Sequence, residues 1–400
     1  MPSGTAAPAF VDRMRPAVRA LAPALVAIRR DLHQHAELST QEQRTQAVIL
    51  DRLKALALDD VRAVADTGAT ALVRGGRPGP NLLWRADIDA LPIVEETGLP
   101  FASTTKAMHA CAHDGHVAIA LGIAEALAAR RAALAGTVRF AFQPAEEHVG
   151  GAKRMVDAGI MDDPRVDHAY GLHIWAGNRL GEVLVAPGAI MAAATHFRII
   201  IRGRGGHAAS PHQAVDPIVT AAHAVVALQT IVSRSVDPHQ TTLLTIGRIH
   251  GGERGNIIPD EVMMSGTIRT FDDAVLARVL KRAEEILRGV TAAFGADYRF
   301  DTSTLPAVVN DPEQAALVAG VAAGLVGPEN VGETRVMGAD DVAYFLQRAP
   351  GVFFLLGAAP AGREHVAPHH SPRFDFDEAC LPLGVELALR IVEAVSGSSL

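Results

Sequence analysis

The segment from Met108 to His116 combines one cysteine, three histidines and one aspartate, an unusual density of side chains that bind metals. Cys111 and His113 stand two positions apart in a loop before a predicted helix, so a thiolate and an imidazole can face one centre. Asp114 could orient an imidazole from behind the ligands. A small buried cysteine with helix-capping neighbours is the alternative interpretation. The composition of the segment favours a metal site.

Two adjacent carboxylates, Glu146 and Glu147, follow a strand predicted at residues 137–142. Open α/β folds bind ligands at the carboxyl ends of their strands, so this position suits a site. Adjacent side chains diverge, and therefore one carboxylate can bind a metal while the other faces a metal-activated water. Taken alone, the pair could equally be the solvated start of a helix.

Two further histidines complete a set of candidate ligands. His173 follows a strand predicted at residues 167–171, and His370 precedes Ser371 and Pro372, with His369 beside it as an alternative ligand. Five ligand groups are enough for two metals that share a bridging ligand and keep positions open for water. The five candidates are Cys111, His113, Glu147, His173 and His370. Asp87 and Asp89, after a strand predicted at residues 81–85, are candidates to support these ligands from behind.

Three polar residues in the middle of the chain could contact a substrate. Glycines before His207 permit a tight turn that presents this histidine, and the segment lacks the spacing and lysine of a nucleotide-binding P-loop. Asn256 and Arg269 lie near the ends of predicted strands. Arg269 there suits a substrate carboxylate, although an exposed strand residue without a role is an equal alternative.

Helices and short apolar strands alternate in the first part of the chain, which predicts an α/β fold. We expect a mixed, mostly parallel sheet with helices on both faces. The predicted helices are 18–35, 42–56 and 116–133, and the predicted strands are 69–74, 81–85, 137–142 and 167–171.

The order of elements changes between residues 192 and 305, where a β-α-β-β-α-β pattern predicts an inserted ferredoxin-like α+β domain. Its predicted elements are strand 196–202, helix 216–233, strands 241–250 and 261–270, helix 273–294 and strand 297–302. The α/β pattern then resumes with a strand at 351–357 and a helix at 381–396. We therefore predict a discontinuous catalytic domain, residues 1–191 and 306–400, and a lid or dimerisation domain, residues 192–305.

Composition excludes several other classes of protein. The 400 residues are 49% hydrophobic and 20% charged with a net charge of −7 and no basic block, so we expect a small-molecule partner rather than nucleic acid or a membrane. Two cysteines in unlike surroundings argue against a disulfide framework. The first residues lack the features of a signal peptide, which predicts a cytoplasmic protein.

With these motifs, the chain resembles the aminoacylase and carboxypeptidase-like two-metal amidohydrolases, nearest to the hippurate hydrolases and auxin-conjugate (IAA-amino acid) hydrolases. The resemblance extends from about Arg30 to the end of the chain. The matching stretches are residues 32–39, 85–92, 108–116, 143–147, 171–173, 203–207, 256–259, 266–269 and 370–378.

The resemblance implies two divalent ions per subunit, Zn²⁺ or Mn²⁺ first and Co²⁺ or Ni²⁺ as alternatives, with Cys111 bridging them. It also implies that Glu146 is the general base and that a lid domain, often that of the partner subunit, brings His207 to the transition state. Asn256 and Arg269 would contact the substrate, and the lid would form a homodimer. Three departures from the family pattern affect pocket shape and substrate choice: Ala36 for proline, Ala112 for glycine, and Asp340-Asp341-Val342 for Glu-Asp-Phe.

We therefore expect metal-dependent hydrolysis of N-acyl amino acids (N-acetyl, N-benzoyl or similar) to a carboxylic acid and a free amino acid. A dipeptidase or carboxypeptidase of the same family is the nearest alternative. Two alternatives come from other classes: a hydrolase that uses Cys111 as its nucleophile, and a binding protein without catalytic activity.

Overall fold

The computed structural model describes residues 10–148, 150–360 and 366–400. The helices in these residues are α1 (Pro16–Gln34), α2 (Gln43–Ala55), α3 (His113–Ala129), α4 (Gly151–Asp157), α5 (Pro217–Thr230), α6 (Asp273–Phe294), α7 (Pro312–Val326), α8 (Ala343–Leu346) and α9 (Cys380–Ser396). The strands are β1 (Asp59–Val64), β2 (Gly68–Arg74), β3 (Arg77–Asp87), β4 (Ala135–Gln143), β5 (His168–Arg179), β6 (Val183–Leu184), β7 (Gly188–Met191), β8 (Ala193–Arg202), β9 (Gly206–His207), β10 (Thr242–His250), β11 (Ile257–Ile258), β12 (Glu261–Thr270), β13 (Asp297–Leu305), β14 (Val308–Asn310), β15 (Val331–Gly332) and β16 (Gly351–Ala359).

The chain forms two compact units. The first unit contains residues 1–190, 309–334 and 341–400, of which residues 1–9, 149 and 361–365 lie outside the described part. The second unit contains residues 191–308 and 335–340. The segment 335–340 therefore clusters with the second unit, whereas our sequence prediction assigned it to the catalytic domain.

The first unit is built on an eight-stranded sheet in the order β1-β2-β4-β3-β5-β16-β6-β15. Parallel pairing joins β4 to β3, β3 to β5 and β5 to β16 in the centre, and antiparallel pairing joins β1 to β2 and β2 to β4. Helices α1, α3 and α9 pack against one another and bury apolar side chains such as Leu25, Ile119 and Val385. The predicted α/β fold with a mostly parallel sheet is confirmed.

Two of the central parallel strands, β3 and β4, end side by side, and the adjacent β5 continues past them. Asp87, the last residue of β3, pairs with Gln143, the last residue of β4, and Arg85 pairs with Gly171 of β5. Because parallel strands present their carboxyl ends at one edge, the residues that follow them converge there. This edge positions the candidate ligands.

The second unit contains a four-stranded antiparallel sheet in the order β10-β12-β8-β13, with α5 and α6 packed on it. This is the ferredoxin-like arrangement predicted from the sequence. Helix α6 has the predicted bounds because its ends are well marked: the Asp272 side chain accepts a hydrogen bond from the Val275 amide, and Gly295 ends the helix in a left-handed conformation.

One segment is long and apolar enough to cross a membrane by length and composition alone, namely α5 with its continuation to Ser235, 19 residues with a mean hydropathy of 1.3. This helix packs on β12, β8 and α6, and Ala221, Ala224 and Leu228 are buried there. The large apolar side chains that are exposed on this helix are Ile218, Val219 and Val226.

Two predicted elements differ from the structure near the site. Helix α3 begins at His113 rather than at residue 116, so His113 lies in the first helical turn and not in a loop. Strand β5 continues to Arg179, so His173 lies within a strand and not after it. In both cases polar ligand residues interrupt the apolar pattern, so the predicted helix begins too late and the predicted strand ends too early.

Candidate metal centre

A left-handed turn brings Cys111 and His113 together. Ala112 precedes α3 with φ 66° and is completely buried. Such a conformation usually belongs to glycine and costs an alanine on the order of 1 kcal/mol. It bends the chain between the two candidate ligands, so that their side chains face the same space.

Among the described residues, five groups of potential ligand atoms each lie within 4.8 Å of one another, and three of these groups contain the ligands predicted from the sequence. One group is Cys111, His113 and His173; a second is Cys111, Glu147 and His370; a third is His113, Glu146 and Glu147. Cys111 belongs to the first two groups. All five candidate ligands predicted from the sequence are thus brought together in the first unit, with Glu146 beside them.

Hydrogen bonds fix which nitrogen of each imidazole is available. His113 Nδ1 lies 2.9 Å from the Asp89 carbonyl oxygen and His173 Nδ1 lies 2.8 Å from the Ile174 carbonyl oxygen, so both donate through Nδ1. Their Nε2 atoms therefore face the centre, and His173 Nε2 lies 3.4 Å from the Cys111 sulfur. Backbone contacts of this kind hold metal-binding imidazoles in one tautomer.

Buried ligand atoms that make no hydrogen bond support a cation at this place. Among the described residues, His113 Nε2 and Glu147 Oε1 are buried and make no hydrogen bond, although Asp87 Oδ2 lies 3.4 Å from the first and His370 Nε2 lies 3.2 Å from the second. Buried polar atoms are nearly always paired, so two of them in one cluster are expected to bind something else. A thiolate, imidazoles and a carboxylate form a donor set that suits divalent transition metals.

The electrostatic potential of the cluster favours positive charge. Burial lowers the pKa of His113, but the carboxylates of Asp87 and Asp89 outweigh it and raise this pKa to about 10. In contrast, burial and the neighbouring histidines hold the pKa of His173 well below its usual value. A site that binds a proton so firmly also favours a metal cation in place of the proton.

Two polar residues of the ligand segment contribute to the structure in other ways. His116 Nδ1 donates to Asp87 at 2.5 Å and His116 Nε2 accepts from the Ile174 amide at 2.9 Å, so both of its nitrogens are used. Asp114 does orient an imidazole, but it is that of His33, at 2.8 Å. Our sequence interpretation had Asp114 acting directly behind a metal ligand.

The two adjacent histidines near the end of the chain occupy different surroundings. His370 Nε2 lies 3.2 Å from Glu147 Oε1. His369 stacks on Trp175 with ring centroids 4.6 Å apart, accepts the Ala176 amide through Nε2, and directs Nδ1 at the Cys111 sulfur, 3.7 Å away. Only His370 of the two shares a ligand group with Glu147.

Two buried carboxylates hold the backbone that carries the glutamate pair. Asp89 accepts the amides of Glu146 and Glu147, both at 3.1 Å, and Glu42 accepts the Ala145 amide at 2.9 Å. Our sequence interpretation included Asp89 among the supporting residues but missed Glu42. We had placed Glu42 within a helix, whereas α2 begins one residue later.

The second unit contains the three predicted substrate contacts. The short ladder of β9 and β11 pairs His207 with Ile257, and the Asn256 carbonyl accepts the Ala208 amide, so His207 and Asn256 are neighbours. Arg269 pairs with Ala194 towards the other end of β12, about 26 Å from Glu261 at 3.3 Å per residue. The structure therefore brings the first two together and keeps Arg269 apart from them within this unit.

Comparisons with known proteins agree with this geometry. The profile of peptidase family M20/M25/M40 matches residues 83–394. The N-acetyl-L-cysteine deacetylase of Bacillus subtilis is 40% identical over 360 residues, 89% of this chain and 84% of the relative. Thermostable carboxypeptidase 1 of Saccharolobus solfataricus is 37% identical over 382 residues, 94% of this chain and 96% of the relative.

A solved structure shares the complete fold. The YXEP protein of Bacillus subtilis, described as a dinuclear metal-binding peptidase of the M20 family, is 34% identical to this chain. The similarity covers 95% of this chain and 100% of that protein, with a TM-score of 0.82.

Proposed function

The chain belongs to the M20/M25/M40 family of metal-dependent peptidases and amidohydrolases, and from this premise we propose that it cleaves the amide bond of N-acyl amino acids. The products are a carboxylic acid and a free amino acid. The observation that carries the proposal is Cys111, which belongs to two groups of ligand atoms beside the buried Glu146 and the half-buried Glu147.

We infer that two divalent ions would be held by five residues, of which Cys111 belongs to both groups of ligand atoms: Cys111, His113, Glu147, His173 and His370. His113 Nε2 and Glu147 Oε1, which are buried and make no hydrogen bond, support this assignment, and the distance of 3.2 Å between His370 Nε2 and Glu147 Oε1 favours His370 over His369. Two bound ions, Zn²⁺ or Mn²⁺ first and Co²⁺ or Ni²⁺ next, would act as Lewis acids toward water and the amide carbonyl.

Glu146 is the general base in this proposal. It is buried, its backbone is held by Asp89, and its carboxylate lies in one group with His113 and Glu147. Glu146 takes a proton from the attacking water and returns it to the amide nitrogen as the carbon–nitrogen bond breaks.

His207 is proposed to stabilise the transition state through a hydrogen bond to the carbonyl oxygen of the substrate. Its Nδ1 accepts the Ala209 amide at 3.0 Å, so a neutral His207 presents Nε2 as a donor. His207 lies beyond the end of β8 and far along the sheet from Ala193 and Leu305, where the chain enters and leaves this sheet. We propose that His207 acts in this way in the site of a partner subunit.

Asn256 and Arg269 are proposed to contact the substrate, and Arg269 suits the carboxylate of the amino acid. Arg269 is half-buried, burial lowers its pKa, and the described residues provide it with no ion pair. A guanidinium in this state gains most from a bidentate carboxylate.

A homodimer through the second unit is part of the proposal. Strand β10 is at an edge of its sheet, and the adjacent α5 exposes Val219 and Val226, two turns apart, at 45% and 70%. An open strand edge beside an apolar helix face suits a second copy of the same chain. The cytoplasmic location expected from the sequence stays a prediction.

A substrate screen tests the proposed function. Metal-replete protein is offered N-acetyl, N-benzoyl and long-chain N-acyl amino acids beside dipeptides, each with and without a chelator. We expect the acylated amino acids to be hydrolysed fastest and the chelator to stop turnover. Preference for dipeptides would indicate the peptidase alternative. Hydrolysis that resists the chelator and is abolished by thiol alkylation would indicate Cys111 as the nucleophile. In that alternative His173, whose Nε2 lies 3.4 Å from the Cys111 sulfur, would be its base.

A further inference from the structure

We propose that Glu42 is a positioning residue for Glu146 and acts through the backbone amide of Ala145. The inference rests on the proposed function, in which Glu146 moves the proton. Glu42 lies before α2, a separate element from all five proposed metal ligands, and it contacts the turn that precedes the glutamate pair.

The Glu42 carboxylate is fully buried and both of its oxygens are used. Oε1 accepts the Ala145 amide at 2.9 Å, and Oε2 accepts the Thr67 hydroxyl at 2.5 Å. The pKa of Glu42 is raised overall. Burial is the main cause and nearby Asp89 adds to it, and together they outweigh the hydrogen bond from Thr67, which lowers this pKa. A buried carboxylate close to another one is costly, and stability alone does not account for it.

Ala145 is the point at which Glu42 can act on the base. This residue has φ 51°, a left-handed conformation that disfavours any residue with a side chain, and it is buried. Without Glu42 its amide would be left in the interior with no acceptor in place, so the turn would relax toward another conformation. Because Glu146 is the next residue, such a relaxation would redirect its carboxylate.

Glu42 and Asp89 divide the support of this turn. Asp89 holds the amides of Glu146 and Glu147, while Glu42 holds only that of Ala145. Because Glu146 follows Ala145 directly and Glu147 is one residue further along, loss of Glu42 should disturb the base more than the metal ligand. This difference separates a positioning role from a general structural one.

The test compares Glu42→Met, which fills the space without accepting a hydrogen bond, with Glu42→Gln, which can accept from Ala145 and donate to Thr67. Glu37→Met is the matched control, because Glu37 precedes the same helix and accepts the Arg44 and Thr45 amides but does not contact the turn. For each variant, kcat and KM on an N-acetyl amino acid, bound metal per chain and Tm are measured.

We expect Glu42→Met to lose on the order of 10-fold or more in kcat, with KM changed less than about 3-fold and both ions retained. Glu42→Gln should recover kcat to within about 3-fold of the unmodified protein, as expected when the hydrogen bond and not the charge matters. Glu37→Met should lower Tm and keep kcat.

Three outcomes would overturn the proposal: full kcat in Glu42→Met, a Glu42→Gln variant as slow as Glu42→Met, or loss of metal from Glu42→Met. If Glu42→Met does not fold, Glu42→Asp takes its place, because the shorter carboxylate keeps the charge but cannot reach the Ala145 amide. Failure of the proposed function would be seen separately, as an unmodified protein without metal-dependent amide hydrolysis.

Discussion

Cys111 is the proposed ligand that belongs to both groups of metal-binding atoms, so its sulfur would contact both ions. The chain has one other cysteine, Cys380, which is fully buried and whose thiol pKa burial raises well above its usual value. Thiolates and not thiols react with alkylating agents, so Cys380 should be inert in the folded protein. Alkylation of the folded protein therefore measures the reactivity of Cys111, with no contribution from Cys380.

Metal loading is expected to protect Cys111 from alkylation. In metal-free folded protein, iodoacetamide should modify one cysteine, Cys111, and in protein saturated with Zn²⁺ it should modify none, because a metal-bound thiolate is a weaker nucleophile. Peptide mass spectrometry measures both states. Equal modification of Cys111 with and without metal would argue that its sulfur is not a ligand.

Asp89 is expected to matter although it binds no metal in the proposal. Its two carboxylate oxygens accept hydrogen bonds from the backbone amides of Glu146 and Glu147. In an asparagine, an NH₂ group would replace one of these oxygens and could not accept the hydrogen bond. Asp89→Asn should therefore reduce metal affinity or kcat by roughly 10-fold to 100-fold, the usual effect of removing a residue that supports ligands. Chelator competition and steady-state kinetics measure the two effects, with the exposed Asp51→Asn on α2 as control. Unchanged values in Asp89→Asn would refute this role.

At the scale of elements, a buried ion-pair network fixes α1 to the first turn of α3. His33 on α1 lies between Asp114 and Glu95, at 2.8 and 3.2 Å, and Arg29 also contacts Asp114 at 3.0 Å. Burial lowers the pKa of His33, but the carboxylates of Asp114 and Glu95 outweigh it and raise this pKa to about 9. The turn that carries His113 is thus held by a histidine that is protonated at neutral pH.

This network gives stability a defined pH dependence. Because the folded pKa of His33 is above its unfolded value of about 6.5, its contribution is complete below pH 6.5 and is lost as pH rises through about 9. The contribution is on the order of 3 kcal/mol at about 1.4 kcal/mol per pKa unit. Urea unfolding of metal-free protein between these pH values should show a steeper loss of stability than His33→Gln. The same slope in both proteins would contradict the assignment.

Sequence patterns predicted elements best where their ends carry clear local signals. The predicted bounds of α6 and β12 agree with the structure. Asp272 and Gly295 mark the two ends of α6. Strand β1 was missed because it begins with two aspartates and only its last residue, Val64, is buried, and β9 and β11 are only two residues long. Helices and strands could thus be predicted where the local sequence preference agrees with the packing. Short or exposed strands could not, because they form by pairing with segments that are distant in the sequence.

The candidate metal ligands could be predicted from the sequence, whereas the residues that hold their backbone in place could not all be predicted. The ligands are polar residues concentrated in short motifs, whereas Glu42 is one acidic residue at the start of an ordinary amphipathic helix. Its contact with Ala145 spans 103 positions and depends on the tertiary fold. The left-handed conformation of Ala112 also has no sequence signal, since alanine seldom adopts it.

For the whole molecule, the exposed face of α5 predicts association. Val226→Glu places a charge in the centre of the proposed dimer contact and should convert the dimer to a monomer, because burial of an unpaired charge is costly. Light scattering after size-exclusion chromatography gives the mass in solution. Ala277→Glu, at an exposed position of α6, should remain a dimer. A monomeric unmodified protein, or a dimeric Val226→Glu, would rule out this interface.

The most direct test of the two-metal mechanism is a paired measurement of bound metal and turnover in Glu146→Gln and Glu147→Gln. These adjacent variants make the same chemical change, so their difference isolates the two roles. We expect Glu146→Gln to keep two ions per chain and to lose on the order of 10²-fold or more in kcat. Glu147→Gln is expected to lose an ion. Near-normal turnover in Glu146→Gln, or loss of metal from Glu146→Gln but not from Glu147→Gln, would contradict the mechanism.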